Sequence, residues 1–235
     1  LLERQDDVAR EASGNPQGVL YLKLSAHGTS LSRLIVAGFG HTRRLLERLQ
    51  RGQDWDACGV LQLAFDAKEG ERQGKLAAAF PADLLQPLSQ AEAEQRAAVA
   101  LPAGGLFYPD AGWVHPPALC RHLVQHPLIS LQTYREALGL QRQADRWQVN
   151  GASGVLAEAP VVVLACAAEI GRLLPAANLP LKRIRGQISR LPASEASRGL
   201  RTVVCAEGYV APARDEEHTL GASFDFHSDD LTPSI

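Results

Sequence analysis

The chain has 235 residues, of which 46% are hydrophobic and 21% are charged, and its formal net charge is −2 at pH 7. This length supports one large domain or two smaller domains with hydrophobic cores, and the near-neutral charge excludes a general coat for nucleic acid. No window approaches the ~18 consecutive apolar residues of a membrane span, so we expect a soluble protein without a membrane partner.

The first residues, Leu1 to Arg4, are typical of the end of a buried strand that closes on an acid. The segment Ala12–Ser25 then begins with small, turn-forming residues and becomes apolar. A strand ending in a carboxylate, followed by a glycine-containing loop, is half of a dinucleotide site. The other half would precede Leu1, so we expect a piece of a longer protein. An ordinary surface loop is the alternative.

Residues 30–50 repeat apolar side chains at intervals of three and four and predict an amphipathic helix. An alternative makes residues 34–40 a strand that enters the Gly-x-Gly turn of an NAD-binding fold, with Asp66 as its ribose acid. The apolar period continues through Gly38 and Gly40, which argues against that alternative. The segments that follow are predicted to be a strand at 59–65, helices at 68–79 and 89–98, a strand at 106–109, a turn at 110–117 and a helix from Pro116 to about Gln125.

After this helix the period changes to two, which predicts short strands at 129–131, 135–140, 146–150 and 155–157. The run Pro160–Ala167 is continuous and β-branched, which is typical of a strand buried on both faces of a parallel sheet. A short helix near 168–173 precedes strands at 182–191, 202–206, 208–213 and 218–223. Parallel and antiparallel character therefore alternate along the chain, which predicts two domains whose segments interleave.

Several sequence motifs, taken in their order along the chain, resemble those of the flavin-dependent amine and amino-acid oxidases of the D-amino-acid oxidase superfamily. The matching motifs are Leu2-Glu3-Arg4, the loop from Ser13 to Gly18, Tyr108-Pro-Asp-Ala-Gly-Trp-Val-His-Pro, Val161-Val-Val-Leu-Ala-Cys-Ala, Arg185-Gly-Gln, and Gly208-Tyr-Val-Ala-Pro with Leu220-Gly-Ala-Ser. The resemblance implies an α/β fold of two parts. Residues 1–50 and 112–178 would form a partial Rossmann-like FAD-binding domain, and residues 51–111 and 179–235 an antiparallel-sheet substrate domain.

Within the superfamily, the segments 12–21, 105–113 and 186–189 are most similar to the oxidoreductase half of bifunctional enzymes that modify tRNA. The resemblance implies removal of the carboxymethyl group from a 5-carboxymethylaminomethyl wobble uridine, by oxidation of a secondary amine and hydrolysis of the imine. It also implies tRNA and an N-terminal SAM-dependent methyltransferase domain of the same polypeptide as partners. A free glycine or D-amino-acid oxidase and a non-catalytic fragment are the alternatives.

The resemblance assigns roles to individual positions. Those expected to bind FAD are Glu3, Arg4, Ser13, Gly14, Asn15, Gln17, Gly18, Ala165, Cys166 and Ala167. On the substrate side, Tyr209 matches a tyrosine that faces the substrate carboxylate in amino-acid oxidases, and Arg185 opens a strand near the flavin face. Because the phosphate-binding turn would precede Leu1, we expect the isolated chain to bind FAD weakly or not at all. The carboxylate-binding arginine is expected beyond residue 235.

The stretch 172–201 carries seven basic residues against one acid, Glu195. It is consistent with a track for tRNA phosphates through Lys182, Arg183 and Arg190, or equally with the solvated face of a sheet. The four cysteines lie far apart in apolar surroundings, which favours free thiols in a reducing, cytoplasmic compartment. The histidine spacing gives no metal site.

Overall fold

The structure is a computed structural model that describes residues 1–228 and 230–233. Two compact units interleave along the chain: unit 1 comprises Leu1–Ala12, Cys120–Arg185 and Phe224–Ile235, and unit 2 comprises Ser13–Leu119 and Gly186–Ser223. These boundaries differ from the predicted ones, because residues 13–50 group with residues 51–119. The assignment of one part to FAD and the other to substrate stays a prediction.

The elements alternate between helices and short strands. The first half contains β1 (Gly18–Leu20), α1 (Ser30–Leu46), β2 (Trp55–Asp56), β3 (Val60–Leu63), α2 (Ala67–Ala79), β4 (Gln86–Leu88), α3 (Gln90–Ala97), β5 (Gly105–Tyr108), β6 (Gly112–Val114) and α4 (Pro116–Val124). The second half contains β7 (Gly139–Gln143), β8 (Arg146–Gly151), β9 (Gly154–Ala159), α5 (Ile170–Leu173), β10 (Arg185–Pro192), β11 (Val203–Cys205), β12 (Tyr209–Val210) and β13 (Glu217–Asp225). Short 3-10 helices lie at Ala12–Gly14, Ala167–Glu169 and Pro175–Ala177.

The strands form three sheets in the described part of the chain. A seven-stranded sheet has the order β10-β13-β12-β11-β3-β5-β4, and two three-stranded sheets have the orders β1-β6-β2 and β7-β8-β9. In the large sheet, β3 runs parallel to β11 and antiparallel to β5, and β12 is antiparallel to β11 and β13. The sheet that was predicted to be antiparallel is therefore mixed, because β3 and β11 are parallel neighbours within it.

The core of unit 2 is built on both faces of the seven-stranded sheet. In β5, Leu106 belongs to a buried cluster that includes Leu76 of α2, whereas Phe107 belongs to a second cluster that includes Ala93 of α3. Successive side chains of a strand point to opposite faces, so α2 and α3 cover opposite faces of the sheet. The strands β3 and β5 are therefore buried between side chains on both faces of the sheet.

The predicted helices are confirmed, and their N-termini show why they begin where they do. Thr29 accepts a hydrogen bond from the Ser32 N–H at the start of α1, and Asp66 does the same for Glu69 at the start of α2. A capping box at Ser89 starts α3. The NAD-binding alternative is wrong, because α1 runs through the glycines that its turn would need and Asp66 is a helix cap.

Four strand predictions are wrong. Leu2 forms only a single parallel bridge with Gln132, residues 129–131 form no strand, and the strand predicted at 135–140 begins at Gly139. The run 160–167 is not a strand: Val161 is 73% and Val163 is 83% exposed. β-branched residues favour a strand only where neighbouring strands accept their backbone hydrogen bonds, and no described strand pairs with this run.

The strand β6 was missed inside the predicted turn at 110–117. Its three residues are all buried, so it shows no alternation of apolar and polar side chains. It nevertheless pairs antiparallel with both β1 and β2. Among the described residues, no helix combines the length and the apolar character needed to cross a membrane.

Candidate functional site

The loop Ser13–Gly18, here called the cofactor loop, is held in one shape by its own polar side chains. The Oδ1 atom of Asn15 accepts a hydrogen bond of 3.0 Å from the Gln17 N–H, which closes a turn around Pro16. Gln17 is only 1% exposed, and its Nε2 atom donates to the Pro212 carbonyl at 3.0 Å. A buried amide with a satisfied donor fixes the backbone on either side of it.

Tyr209 contacts this loop directly. Its hydroxyl donates to the Gln17 carbonyl oxygen at 2.9 Å and lies 3.0 Å from the Asn15 Nδ2 atom, which donates to it. Burial raises the pKa of this phenol, so the hydroxyl stays protonated at neutral pH. The structure thus brings together three of the predicted site residues, Asn15, Gln17 and Tyr209, in unit 2. The contact of Tyr209 with a substrate carboxylate stays a prediction.

The N-terminal carboxylate lies in unit 1. The Oε1 atom of Glu3 accepts a hydrogen bond of 2.8 Å from the Gln5 N–H, and the Glu3 backbone N–H donates to the Gln132 carbonyl. The neighbouring Arg4 guanidinium pairs with Glu11, and that hydrogen bond raises the pKa of Arg4. The pairing holds the Arg4 guanidinium against Glu11.

Ala165, Cys166 and Ala167 also lie in unit 1, where an irregular segment leads into the 3-10 helix Ala167–Glu169. Ala167 has a φ of 46°, in the left-handed region that favours glycine. The Glu169 N–H donates to the Cys166 carbonyl at 3.0 Å and stabilises the turn.

The predicted basic residues are engaged within the protein. The Nη2 atom of Arg185 donates to the Thr232 carbonyl at 2.6 Å, and its Nε atom donates to the Asp230 carbonyl. Arg183 pairs with Glu169 at 2.7 Å, and Arg190 forms an ion pair with Glu217. The Lys182 Nζ atom lies 4.6 Å from the centre of the Phe226 ring. Lys182 and Arg183 precede β10 and lie in no strand, whereas Arg190 lies within β10. Any phosphate that binds Arg183 or Arg190 has to compete with the carboxylate of Glu169 or Glu217.

A cavity of about 380 Å³ in unit 2 was missed as a site, although some of its residues belong to recognised motifs. Its lining residues are Gln187, Ser189, Glu207, Gly208, Leu220, Gly221, Ala222 and Ser223. A Cβ atom on Gly208 would lie 2.8 Å from the Gly221 carbonyl oxygen, so the two backbones approach too closely for a side chain. The amide, hydroxyl and carboxylate groups of this lining suit a small polar ligand.

The observed features fit a flavin nucleotide in part. The cofactor loop presents the exposed Ser13 and Gly14 beside a rigid turn, and Ala167 adopts a left-handed backbone shape that favours glycine. Glycine and left-handed backbone are features that let a phosphate or ring approach the chain closely. No group of three potential metal ligands occurs among the residues that the structure describes.

Comparisons with known proteins agree with this fit. The family model described as FAD dependent oxidoreductase matches residues 1–235. The chain is 84% identical over its whole length to the tRNA 5-methylaminomethyl-2-thiouridine biosynthesis bifunctional protein MnmC of Ectopseudomonas mendocina (strain ymp). It is 69% identical to the protein of the same name from Pseudomonas putida (strain GB-1). In both cases it spans 36% of the relative's length.

Solved structures show the same fold. The glycine oxidase of Geobacillus kaustophilus has a TM-score of 0.76 at 23% identity, with 97% of this chain and 65% of that chain covered. The glycine oxidase of Bacillus cereus ATCC 14579 has a TM-score of 0.75 at 19% identity, with 97% and 66% covered. The predicted mixed α/β oxidase fold and the prediction of FAD as cofactor are therefore confirmed. The chain belongs to the family of FAD-dependent oxidoreductases.

Proposed function

We propose that this chain is part of the oxidoreductase of a bifunctional tRNA-modifying protein. Its reaction removes the carboxymethyl group from 5-carboxymethylaminomethyl(-2-thio)uridine at the wobble position of tRNA. The observation that carries the proposal is the identity of 84% and 69%, over the whole chain, to two proteins named for tRNA 5-methylaminomethyl-2-thiouridine biosynthesis. Glycine oxidases share the fold at 19–23% identity, which supports no substrate assignment.

In the proposed reaction, the protein has to position the substrate amine beside the flavin, and it needs no reactive side chain of its own. Bound FAD supplies the acceptor for a hydride from the carbon beside the secondary amine, and water then hydrolyses the imine to release a two-carbon oxo acid. In this proposal, Glu3 binds the adenosine ribose, and Arg4, which is paired with Glu11, lies next to it in the sequence. The cofactor loop and residues 165–167 present backbone to the flavin and its phosphates.

The proposed partners follow from the same relatives. The word bifunctional in their name, and the share of their length that this chain spans, support a second catalytic domain in the same polypeptide. We assign it as a SAM-dependent methyltransferase that acts on the exposed amine. The proposed tRNA contacts are Lys182, Arg183 and Arg190, and a tRNA substrate places the protein in the cytoplasm.

Anaerobic flavin reduction tests the proposed substrate. The polypeptide that carries this chain is mixed with tRNA that bears 5-carboxymethylaminomethyl-2-thiouridine, and the loss of the oxidised flavin absorbance is followed by stopped flow. The same tRNA bearing the aminomethyl derivative is the matched control, because it lacks only the carboxymethyl group. We expect rapid reduction by the first tRNA and none by the second.

Free glycine and D-alanine are the competing substrates. If either reduces the flavin as fast as the modified tRNA does, the protein is a free amino-acid oxidase and the tRNA proposal fails. Glyoxylate released in proportion to the flavin reduced distinguishes the proposed oxidation from a slow nonspecific reduction.

A further inference from the structure

We propose that Tyr209 is a positioning residue that sets the shape of the cofactor loop, and that it does not bind the substrate carboxylate. The inference rests on the proposed role of this loop in binding FAD, and it is independent of whether the substrate is a tRNA. It gives Tyr209 a role different from the one implied by the resemblance to amino-acid oxidases.

The first reason is that the Tyr209 hydroxyl can donate only one hydrogen bond. A tyrosine hydroxyl has one proton, and here that proton is donated to the Gln17 carbonyl oxygen at 2.9 Å. A carboxylate only accepts hydrogen bonds, so it could bind Tyr209 only by taking that proton from Gln17. The hydroxyl oxygen also accepts the Asn15 Nδ2–H at 3.0 Å. In this structure the hydroxyl therefore has no donor left for a substrate carboxylate.

The second step is that the contact acts on the backbone of the loop. The hydroxyl joins the Asn15 side chain to the Gln17 carbonyl, while Asn15 also closes the turn onto the Gln17 N–H. These three hydrogen bonds form a closed ring around Pro16. Because Gln17 is buried and its amide is tied to the Pro212 carbonyl, the ring is anchored to the segment that follows β12.

A separate pair of side chains holds the intervening residue. The His115 Nδ1 atom lies 3.0 Å from the Pro16 carbonyl oxygen, and the Arg214 Nη1 atom lies 3.5 Å from the same oxygen. Arg214 is itself fixed, since its Nε atom donates to the Gln53 carbonyl at 3.0 Å. The loop is thus constrained at three successive residues, and the Tyr209 hydroxyl bonds to both residues that flank Pro16.

Hydrogen exchange and cofactor titration test the inference without requiring a substrate. The variants Tyr209→Phe, Asn15→Ala and the double variant are made in the polypeptide that carries this chain. In the apo-protein, we expect the peptide covering residues 13–18 to exchange several-fold faster in each variant. FAD affinity, measured by quenching of flavin fluorescence, should fall roughly fivefold for Tyr209→Phe, the size of one lost hydrogen bond.

Coupling between the two residues is the decisive readout. Because both side chains act through one hydrogen-bonded ring, the double variant should lose less FAD affinity than the sum of the single variants. The visible spectrum of bound flavin should change in the same way in both single variants. Tyr21→Phe is the matched control: Tyr21 is a half-buried tyrosine of the same core, with its ring edge-on to Tyr108 and outside the ring of hydrogen bonds.

Two results would overturn the inference. One is unchanged exchange and unchanged FAD affinity in Tyr209→Phe together with a raised KM for substrates carrying the carboxylate, which would give Tyr209 the substrate role. The other is simple additivity in the double variant. If Tyr209→Phe unfolds the protein, Asn15→Ala decides alone, and an unaltered loop and FAD affinity in that variant would reject the proposal.

Discussion

The Nη2 atom of Arg183 lies 2.7 Å from the Oε1 atom of Glu169, and the same carboxylate also contacts Arg172 at 3.4 Å. One acid thus engages two members of the basic stretch in unit 1. A tRNA phosphate that used these arginines would have to displace the carboxylate. The acid is therefore a better probe of the proposed tRNA track than the arginines themselves.

We expect Glu169→Gln to strengthen tRNA binding and to steepen its salt dependence, because the variant removes a negative charge that competes with phosphates for Arg183. Lys182→Ala should weaken binding and lower the salt slope by about 1. The measurement is tRNA affinity at several salt concentrations. Glu71→Gln is the control, since Glu71 forms a similarly short ion pair with Lys75 on α2, outside the basic stretch. Identical affinities for wild type, Glu169→Gln and Lys182→Ala would remove the track from the proposal.

Glu3 gives a second prediction. In the polypeptide that carries this chain, Glu3→Ala should weaken FAD binding by roughly 1.5–3 kcal/mol, the size of a lost charge-assisted hydrogen bond. Glu3→Gln retains an oxygen for the Gln5 N–H, so it keeps the local turn and removes only the charge. Titration of both apo-variants with FAD separates the two effects. An affinity equal to that of the wild type in both variants would show that Glu3 lies outside the cofactor site.

Two glycines give a prediction about stability. A Cβ atom on Gly112 would lie 1.8 Å from the Asp56 carbonyl oxygen, and one on Gly105 would lie 2.0 Å from the Gln62 carbonyl oxygen. Since backbone cannot yield as a side chain can, each substitution by alanine should cost roughly 3 kcal/mol or more. Gly74→Ala, in α2 with nothing within 4 Å, should instead stabilise by about 0.5–1 kcal/mol. Urea unfolding measures all three, and a neutral Gly112→Ala would contradict the packing of β6.

The buried thiols give a prediction about pH. Desolvation raises the pKa of Cys58 and of Cys205 to about 12, from a usual value of 9.0. Burial raises the pKa of Tyr108 to about 12 as well, from 10.0. All three groups bind their proton more tightly in the folded state, so their contribution to the free energy of unfolding is complete below about pH 9. It is lost as the pH rises from there towards 12.

Alkylation of the cysteines tests the raised pKa values of Cys58 and Cys205. At pH 8, only about one thiol in ten thousand with this pKa is a thiolate. Cys58 and Cys205 should therefore resist iodoacetamide in the folded protein and react when it is unfolded in guanidinium. Peptide mapping by mass spectrometry identifies the modified residues. Equal labelling of Cys58 before and after unfolding would show that its thiol is not desolvated.

The sequence was most informative where one local signal decided the structure. The period of α1 predicted a helix over 30–50, which ends at Leu46, and α2 and α3 lie within one residue of the bounds predicted for them. The paired strands from 182 to 223 were also predicted, since each alternates or is bounded by turn residues. These features depend on residues near one another in the chain.

The rest depended on distant partners. The run 160–167 has strong β propensity, but a strand exists only with a neighbour, and propensity does not reveal whether one is present. β6 lacked any alternation because it is buried throughout. For the candidate site, the motifs located the cofactor loop and Tyr209 separately. They did not reveal that the Tyr209 hydroxyl is bonded to that loop, because hydrogen bonds between residues far apart in sequence leave no local pattern.

The hydrogen bond between Asn15 and Tyr209 joins positions 194 residues apart. At ~5–20 residues per second, a ribosome takes roughly 10–40 s to make the intervening chain. The cofactor loop therefore leaves the ribosome long before the tyrosine that closes its ring exists. In the cell, the ring of hydrogen bonds around Pro16 can therefore close only after Tyr209 has been made, late in synthesis or after release.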